Sequence, residues 1–418
     1  MKKLFILALL MSLGLYSHAF KRKVLYIGNS YTFTNNMPAI VDSICHAFGD
    51  TVEWEMYAPG GYTFRQHSTD ATTLAKIALQ PWDVVILQEQ SQMPSFPPSQ
   101  VETDVYPYAH ALDSIIRAND SCTQTMFMMT WGHANGDPGN CPSYPVICTF
   151  DGMQMRLRES YLQMGQDNHA CVIPVGSAFR IMYDSSYVPW LFSADSSHPI
   201  FSGSYLEACV VYASIFHKSP YNCSYIGSLP MPDANLLQRI TNKVVFDSIF
   251  QWQRYGHYPY AGFTKTLTGG DTLHVTDIVP VGANHRWTFG DGTGLDTNTS
   301  PTHVFATSGT YTITNRVSTD CFSEYHTDTV HVTVTPGSVD RVHSDEGLTV
   351  CQAGNGNITF KFDANKFESF ELYNINGSLV AKHNHPSGDL HFELVKGFYT
   401  YRCTTSEGAV FTGKSAVY

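Results

Sequence analysis

Ser30 follows Lys23-Val-Leu-Tyr-Ile27 and Gly28-Asn29, so an apolar strand runs into a glycine turn that delivers a hydroxyl. A serine hydroxyl is a poor nucleophile until a base stands within hydrogen-bond reach. The segment Asp195-Ser-Ser-His198-Pro199 offers one. Imidazole titrates near neutrality, and a carboxylate on its other nitrogen fixes the tautomer and stabilises the imidazolium. Attack on an ester also builds charge on the carbonyl oxygen, and preorganised donors there lower the barrier. Two segments could supply them: Tyr57-Ala-Pro-Gly60-Gly61-Tyr-Thr63 through backbone N–H groups, and Gln88-Glu89-Gln90-Ser91 through a side-chain amide. Each fragment alone has an ordinary structural explanation. Gly, Asn and Ser are common turn residues, and with 18 histidines one Asp-x-x-His arises easily by chance.

Residues 23 to about 257 alternate short apolar runs with longer amphipathic stretches. The runs 23–27, 83–87, 125–131 and 171–175 are expected strands. Helices are expected over 38–48, 106–119, 154–165, 203–216 and 236–252. Continuously apolar strands alternating with helices imply a parallel sheet covered on both faces. The site of such a sheet lies at the carboxyl ends of its strands, where Ser30 and Gln88 both fall. Trp131-Gly-His133 leaves the third run at the same edge. Trp131 either lines an acyl or sugar pocket or packs under the next loop.

The blocks occur in a fixed order: Gly28-Asn29-Ser30, then Gly60-Gly61, then Gln88 to Ser91, then Asp195-x-x-His198-Pro199. In this order they resemble the SGNH-hydrolase (GDSL-like) superfamily, over residues 23 to about 255. The resemblance implies a flavodoxin-like three-layer α/β/α sandwich with a parallel sheet. It implies Ser30 as nucleophile, His198 as acid-base and Asp195 as its orienting partner. The oxyanion hole would use the Ser30 and Gly61 N–H groups and a side-chain amide, with Gly60 as the alternative backbone donor. Two departures stand out. Many members have Gly-Asp-Ser where this chain has Asn29, and the third block is commonly Gly-x-Asn-Asp. Aligning the blocks puts Gln90 at the Asn position, with Gln88 as the alternative. No cofactor and no metal are expected; the Gly-x-Ser-x-Gly elbow, His-Glu-x-x-His and the phosphate-binding loop are absent.

After Tyr260 the texture turns to Thr, Val, Asp and Gly, with short strands between turns. Trp287-Thr-Phe-Gly-Asp-Gly292 and Ser308-Gly-Thr-Tyr311 resemble a PKD domain, an immunoglobulin-like sandwich anchored by Trp287 and Tyr311 and serving as a spacer. Phe370 to Val380 and Leu394 to Tyr401 resemble the C-terminal sorting domain of type IX secretion substrates. The expected organisation is a signal peptide at 1–19, a catalytic domain at 20–258, and two small all-β sandwich domains at 259–336 and 337–418. Lys2 and Lys3 ahead of an apolar run that is too short to span a bilayer give the export pattern. Export permits disulfides. Cys141–Cys148 and Cys351–Cys403 are the expected pairs among ten cysteines, and the seven cysteines before residue 260 leave at least one without a partner in its own domain.

A formal charge of −11 carries no nucleic-acid footprint, and no mature segment is apolar enough to make an integral membrane span. The expectation is an extracellular or surface-held esterase acting on an acylated small molecule or glycan, with O-acetyl groups on carbohydrate favoured. Secretion machinery or a surface anchor would engage the C-terminal domain. Two alternatives remain open: a lipid or aryl ester hydrolase, and a non-catalytic glycan-binding or adhesin protein on a degenerate scaffold.

Overall fold

The computed structural model describes residues 21–184, 191–255, 260–278, 283–334, 347–353 and 357–417. The expected signal peptide and the expected domain boundaries at 258 and 336 lie outside the described residues.

Five strands form one sheet: β1 (Lys21–Ile27), β2 (Thr51–Tyr57), β3 (Val84–Leu87), β4 (Gln124–Met128) and β5 (Cys171–Ile173). All pair in parallel, in the order β2-β1-β3-β4-β5. This flavodoxin-like order reverses direction between β1 and β3, and the crevice outside their carboxyl ends is where such sheets bind ligands. Four strands were expected. The fifth, β2, is an edge strand whose glutamates at 53 and 55 interrupt the apolar run that marks the buried strands.

Helices intervene as α1 (Ser30–Phe33), α2 (Met37–Ala47), α3 (Phe64–His67), α4 (Ala71–Ile77), α5 (Pro98–Asp104), α6 (Tyr106–Asn119), α7 (Phe150–Asp167), α8 (Val175–Asp184), α9 (Phe201–Phe216), α10 (Met231–Phe246) and α11 (Ile249–Trp252). The expected helix over 236–252 is two helices, and the first starts earlier, with a proline in its first turn. Side chains of a strand alternate between faces. Val24, Tyr26, Val84, Ile86, Met126 and Met128 pack with α2, α8, α9 and α10. Leu25, Ile27, Val85, Leu87 and Phe127 pack with α3 to α7. The domain is therefore a three-layer α/β/α sandwich.

Antiparallel β structure follows: β6 (Phe263–Thr268), β7 (Thr272–Asp277), β8 (Asn284–Thr288), β9 (Thr302–Val304), β10 (Gly309–Ser318), β11 (Ser323–Val332), β12 (Leu348–Ala353), β13 (Asn357–Phe362), β14 (Phe367–Asn374), β15 (Leu379–Asn384), β16 (Gly388–Glu393), β17 (Gly397–Thr405) and β18 (Val410–Val417). By compactness the chain divides into two units. The first contains the α/β sandwich up to Lys265 together with Val275–Pro301 and Thr312–Asp328; the second contains Thr266–His274, Thr302–Tyr311 and the chain from Thr329 onward. In the first unit Trp287 is fully buried and its indole N–H donates to the Asn298 carbonyl. In the second, Tyr311 is only half-buried and stacks on Phe305 at 4.4 Å. The sheets β12-β13-β16 and β15-β14-β17-β18 enclose a core of Ile358, Phe360, Phe370 and Leu372.

The Cys141–Cys148 disulfide forms. The expected Cys351–Cys403 bond does not: Cys403 is a free buried thiol. Cys351 sits opposite Thr359 in one sheet of the sandwich, and Cys403 sits between Phe370 and Phe411 in the other. Instead Cys122, just before β4, bonds to Cys321 beside β11. Nearby, the buried His217 Nδ1 lies 2.5 Å from the Glu324 carboxylate. No described helix is long and apolar enough to cross a membrane.

Candidate active site

The turn after β1 is built by close packing. A Cβ at Gly28 would stand 2.4 Å from Thr32 Oγ1 and 2.6 Å from Gln88 Oε1, so only glycine fits. Its carbonyl accepts from the buried His67 Nε2–H at 2.9 Å. Burial pushes the His67 imidazole below its ordinary pKa, which suits a neutral ring in that role. Asn29 caps α1 by accepting the Tyr31 N–H, and Ser30 opens the helix half-buried.

The structure brings Ser30, His198 and Asp195 together although 165 or more residues separate the serine from its partners in sequence. His198 Nε2 lies 2.8 Å from Ser30 Oγ, and its Nδ1 lies 2.5 Å from Asp195 Oδ2. A carboxylate on Nδ1 selects the tautomer that leaves Nε2 free to accept the serine proton. Asp195 Oδ1 accepts from the Ser193 hydroxyl and from the Ser197 and His198 N–H groups. Partial desolvation works to raise the Asp195 carboxyl, but these donors and His198 outweigh it and hold the group well below the usual carboxylate range. The loop closes on itself through the Phe192–Pro199 bridge and the Ser193 N–H to the His198 carbonyl.

The glycine loop makes a turn in which Tyr62 N–H donates to the Pro59 carbonyl. Gly61, at φ +72, occupies the position that a type II turn reserves for glycine. Among the described residues no acceptor meets the N–H of Ser30, Gly60 or Gly61. The two glutamines differ. Gln88 is fully buried: its Oε1 accepts from Asn29 N–H and Thr32 Oγ1, and its Nε2 donates to the Glu89 carbonyl. It holds the turn that carries Ser30 and has no exposed surface of its own. Gln90 is half-buried. Its Oε1 accepts from the Gln92 and Met93 N–H groups, and one hydrogen of its Nε2 goes to Gln92 Oε1. A carboxamide nitrogen carries two hydrogens, so one remains.

Trp131 is fully buried and lines no open pocket. Its ring is sandwiched between Tyr31 at 4.4 Å and Phe179 at 4.1 Å, and its N–H donates to the Ser197 carbonyl. The Tyr31 hydroxyl reaches Ser197 Oγ at 2.6 Å. Ala134 N–H and the Asn135 amide bond Ser196. The exit of β4 thus braces the histidine loop, a role that neither the spacing nor the residue types in the sequence announce.

Glu89 is a second feature without a sequence signal. Its carboxyl is fully buried and accepts the Phe64 N–H beyond the glycine loop and the Gln90 N–H. Burial pushes its pKa up to about 8, against the lowering effect of those two donors.

Residues 259–334 match the PKD domain family. Comparison with curated proteins gives no match. Among solved structures, the chain is similar to a DUF4886 family protein from Bacteroides uniformis, with 17% identity, 54% of this chain and 96% of that one covered, and a TM-score of 0.47. It is also similar to a candidate SGNH hydrolase from Slackia heliotrinireducens, with 25% identity, 46% and 97% covered, and a TM-score of 0.39. An esterase, EstA, from Pseudoalteromonas sp. follows at 16% identity, 47% and 97% covered, and a TM-score of 0.35.

Proposed function

We propose that this protein is a serine ester hydrolase that works through an acyl-enzyme on Ser30. The observation that carries the reading is the unbroken relay from Asp195 through His198 to the Ser30 hydroxyl. In the first half-reaction Ser30 Oγ attacks the acyl carbon while His198 Nε2 takes its proton. The tetrahedral oxyanion is met by the Ser30 and Gly61 N–H groups, with the remaining hydrogen of Gln90 Nε2 as the side-chain donor. Collapse breaks the bond to the alcohol, which leaves with the proton from His198. Water then repeats the sequence on the acyl-enzyme and releases the carboxylic acid. Asp195, held ionised by its donors, orients the imidazole and stabilises the imidazolium.

The proposed substrate is an O-acetylated carbohydrate met outside the cell. This part rests on the export pattern of the N-terminal sequence and on the superfamily resemblance. The C-terminal domain, residues 337–418, is proposed as the sorting or anchoring module, on the motifs around Phe370–Val380 and Leu394–Tyr401. Hydrolysis of p-nitrophenyl acetate and of longer p-nitrophenyl esters tests the reading. Wild-type turnover that disappears in Ser30→Ala is expected, with acetyl preferred to longer chains. Equal rates for the two proteins would refute it.

A further inference from the structure

We infer that Asn29 is a positioning residue that locks the nucleophile turn to the oxyanion loop, and that it must be an amide to do so. The inference rests on the esterase reading above and concerns the residue at which this chain departs from the Gly-Asp-Ser pattern. Asn29 is 2% exposed. Its side chain makes two bonds of opposite polarity. Oδ1 accepts the Tyr31 N–H at 3.2 Å, inside the turn that carries Ser30. Nδ2 donates to the Tyr62 carbonyl at 2.9 Å, in the residue directly after Gly61. A carbonyl can only accept and an N–H can only donate, so the orientation of the amide is fixed by its partners. A third bond, from Asn29 N–H to Gln88 Oε1, ties the same residue to the exit of β3.

Asn29 therefore joins the segments that carry both proposed backbone donors, Ser30 N–H and Gly61 N–H. An oxyanion hole works only while its donors hold their spacing through the reaction. The tip of the glycine loop is open: Gly60 and Gly61 are exposed, and a Cβ at either would meet nothing within 4 Å. An ionised aspartate at position 29 could still accept from Tyr31 N–H. It would place a carboxylate oxygen against the Tyr62 carbonyl, where a donor is needed. A protonated aspartic acid would offer an O–H there and restore the bond.

The test compares wild type, Asn29→Asp and Asn29→Ala on p-nitrophenyl acetate across pH, with thermal unfolding as a folding control. For Asn29→Asp at neutral pH, kcat is expected to fall about tenfold or more, with KM changed by roughly twofold at most. The ratio of its kcat to that of wild type is expected to rise as pH falls and the new carboxyl takes up its proton. Asn29→Ala has no group to protonate, so its ratio to wild type stays low and flat. A folded Asn29→Asp enzyme with wild-type kcat overturns the inference, as does a depressed ratio that ignores pH. Failure of wild type itself to exceed Ser30→Ala overturns the esterase reading and this inference with it. Wild-type turnover with an indifferent Asn29→Asp overturns this inference alone.

Discussion

The Trp131 indole N–H donates to the Ser197 carbonyl at 3.0 Å, so the residue before His198 hangs from a fully buried ring. The bond and the stack separate cleanly by substitution. Trp131→Phe keeps an aromatic ring between Tyr31 and Phe179 and removes the donor, leaving a part-buried carbonyl unmet. Such a loss costs about 1–3 kcal/mol. We expect the unfolding free energy to drop by that amount and kcat to fall several-fold. Trp131→Ala is expected to cost about 3–5 kcal/mol through the cavity it leaves. Urea titrations with parallel kinetics measure both.

Asp195 gives a prediction about pH. Its carboxyl lies well below the usual range because Ser193, His198 and two backbone N–H groups favour the charged form. A depressed pKa means the charge is lost only in strong acid. Asp195 is therefore ionised across the whole working range. Asp195→Asn is expected to lower kcat by roughly a hundredfold or more. Titration of the Asp195 carboxyl in folded wild-type protein, followed by NMR, should show it ionised throughout about pH 5 to pH 9. A carboxyl that takes up its proton inside that window would contradict the assignment.

Sequence reasoning singled out Ser30, His198 and Asp195 because each stands at a strand exit or in a short motif whose chemistry is local, and the structure brings the three side chains together. It also reached the parallel sheet, since buried strands such as Val84–Leu87 are apolar throughout. It did not reach β2, whose edge position lets Glu53 and Glu55 face outward. Nor did it reach Glu89 or the brace at Trp131. Each has at least one partner well away in the chain, and a Glu after a strand or a Trp in an apolar stretch has the same appearance wherever it points. The third block stayed ambiguous for a related reason. Gln88 and Gln90 are identical in type, and only burial distinguishes the one that holds the turn from the one that keeps a free hydrogen near the surface.

Glu89 makes folding stability depend on pH with a definite sign. Its folded pKa, raised by burial to about 8, lies above the value of about 4.3 that an unfolded chain gives a glutamate. Between those values the folded state binds the extra proton, so the contribution is complete below about 4.3 and is lost as pH rises through 8. Wild type is expected to lose more denaturation midpoint between pH 5 and pH 9 than Glu89→Gln does. Equal losses in the two proteins would contradict the assignment.

The Cys122–Cys321 disulfide closes a separation of 199 residues within the first unit. Long loops gain most from closure, and removal of such a bond costs about 2–5 kcal/mol. The double variant Cys122→Ser, Cys321→Ser is expected to unfold at lower urea by that margin. Its kcat on p-nitrophenyl acetate should match wild type, because neither cysteine contacts the Ser30, His198 or Gly61 segments. Peptide mapping without reductant should recover the 122–321 and 141–148 pairs in the wild-type protein.

Labelling with a fluorophosphonate probe tests the central claim most directly, because the probe phosphonylates a serine only when its hydroxyl is activated by a neighbouring base. Folded wild-type protein is expected to take up one probe, located on Ser30 by mass spectrometry, with Ser30→Ala blank and His198→Ala strongly slowed. Wild-type protein that is folded and unlabelled, or labelled at another serine, would contradict Ser30 as the nucleophile.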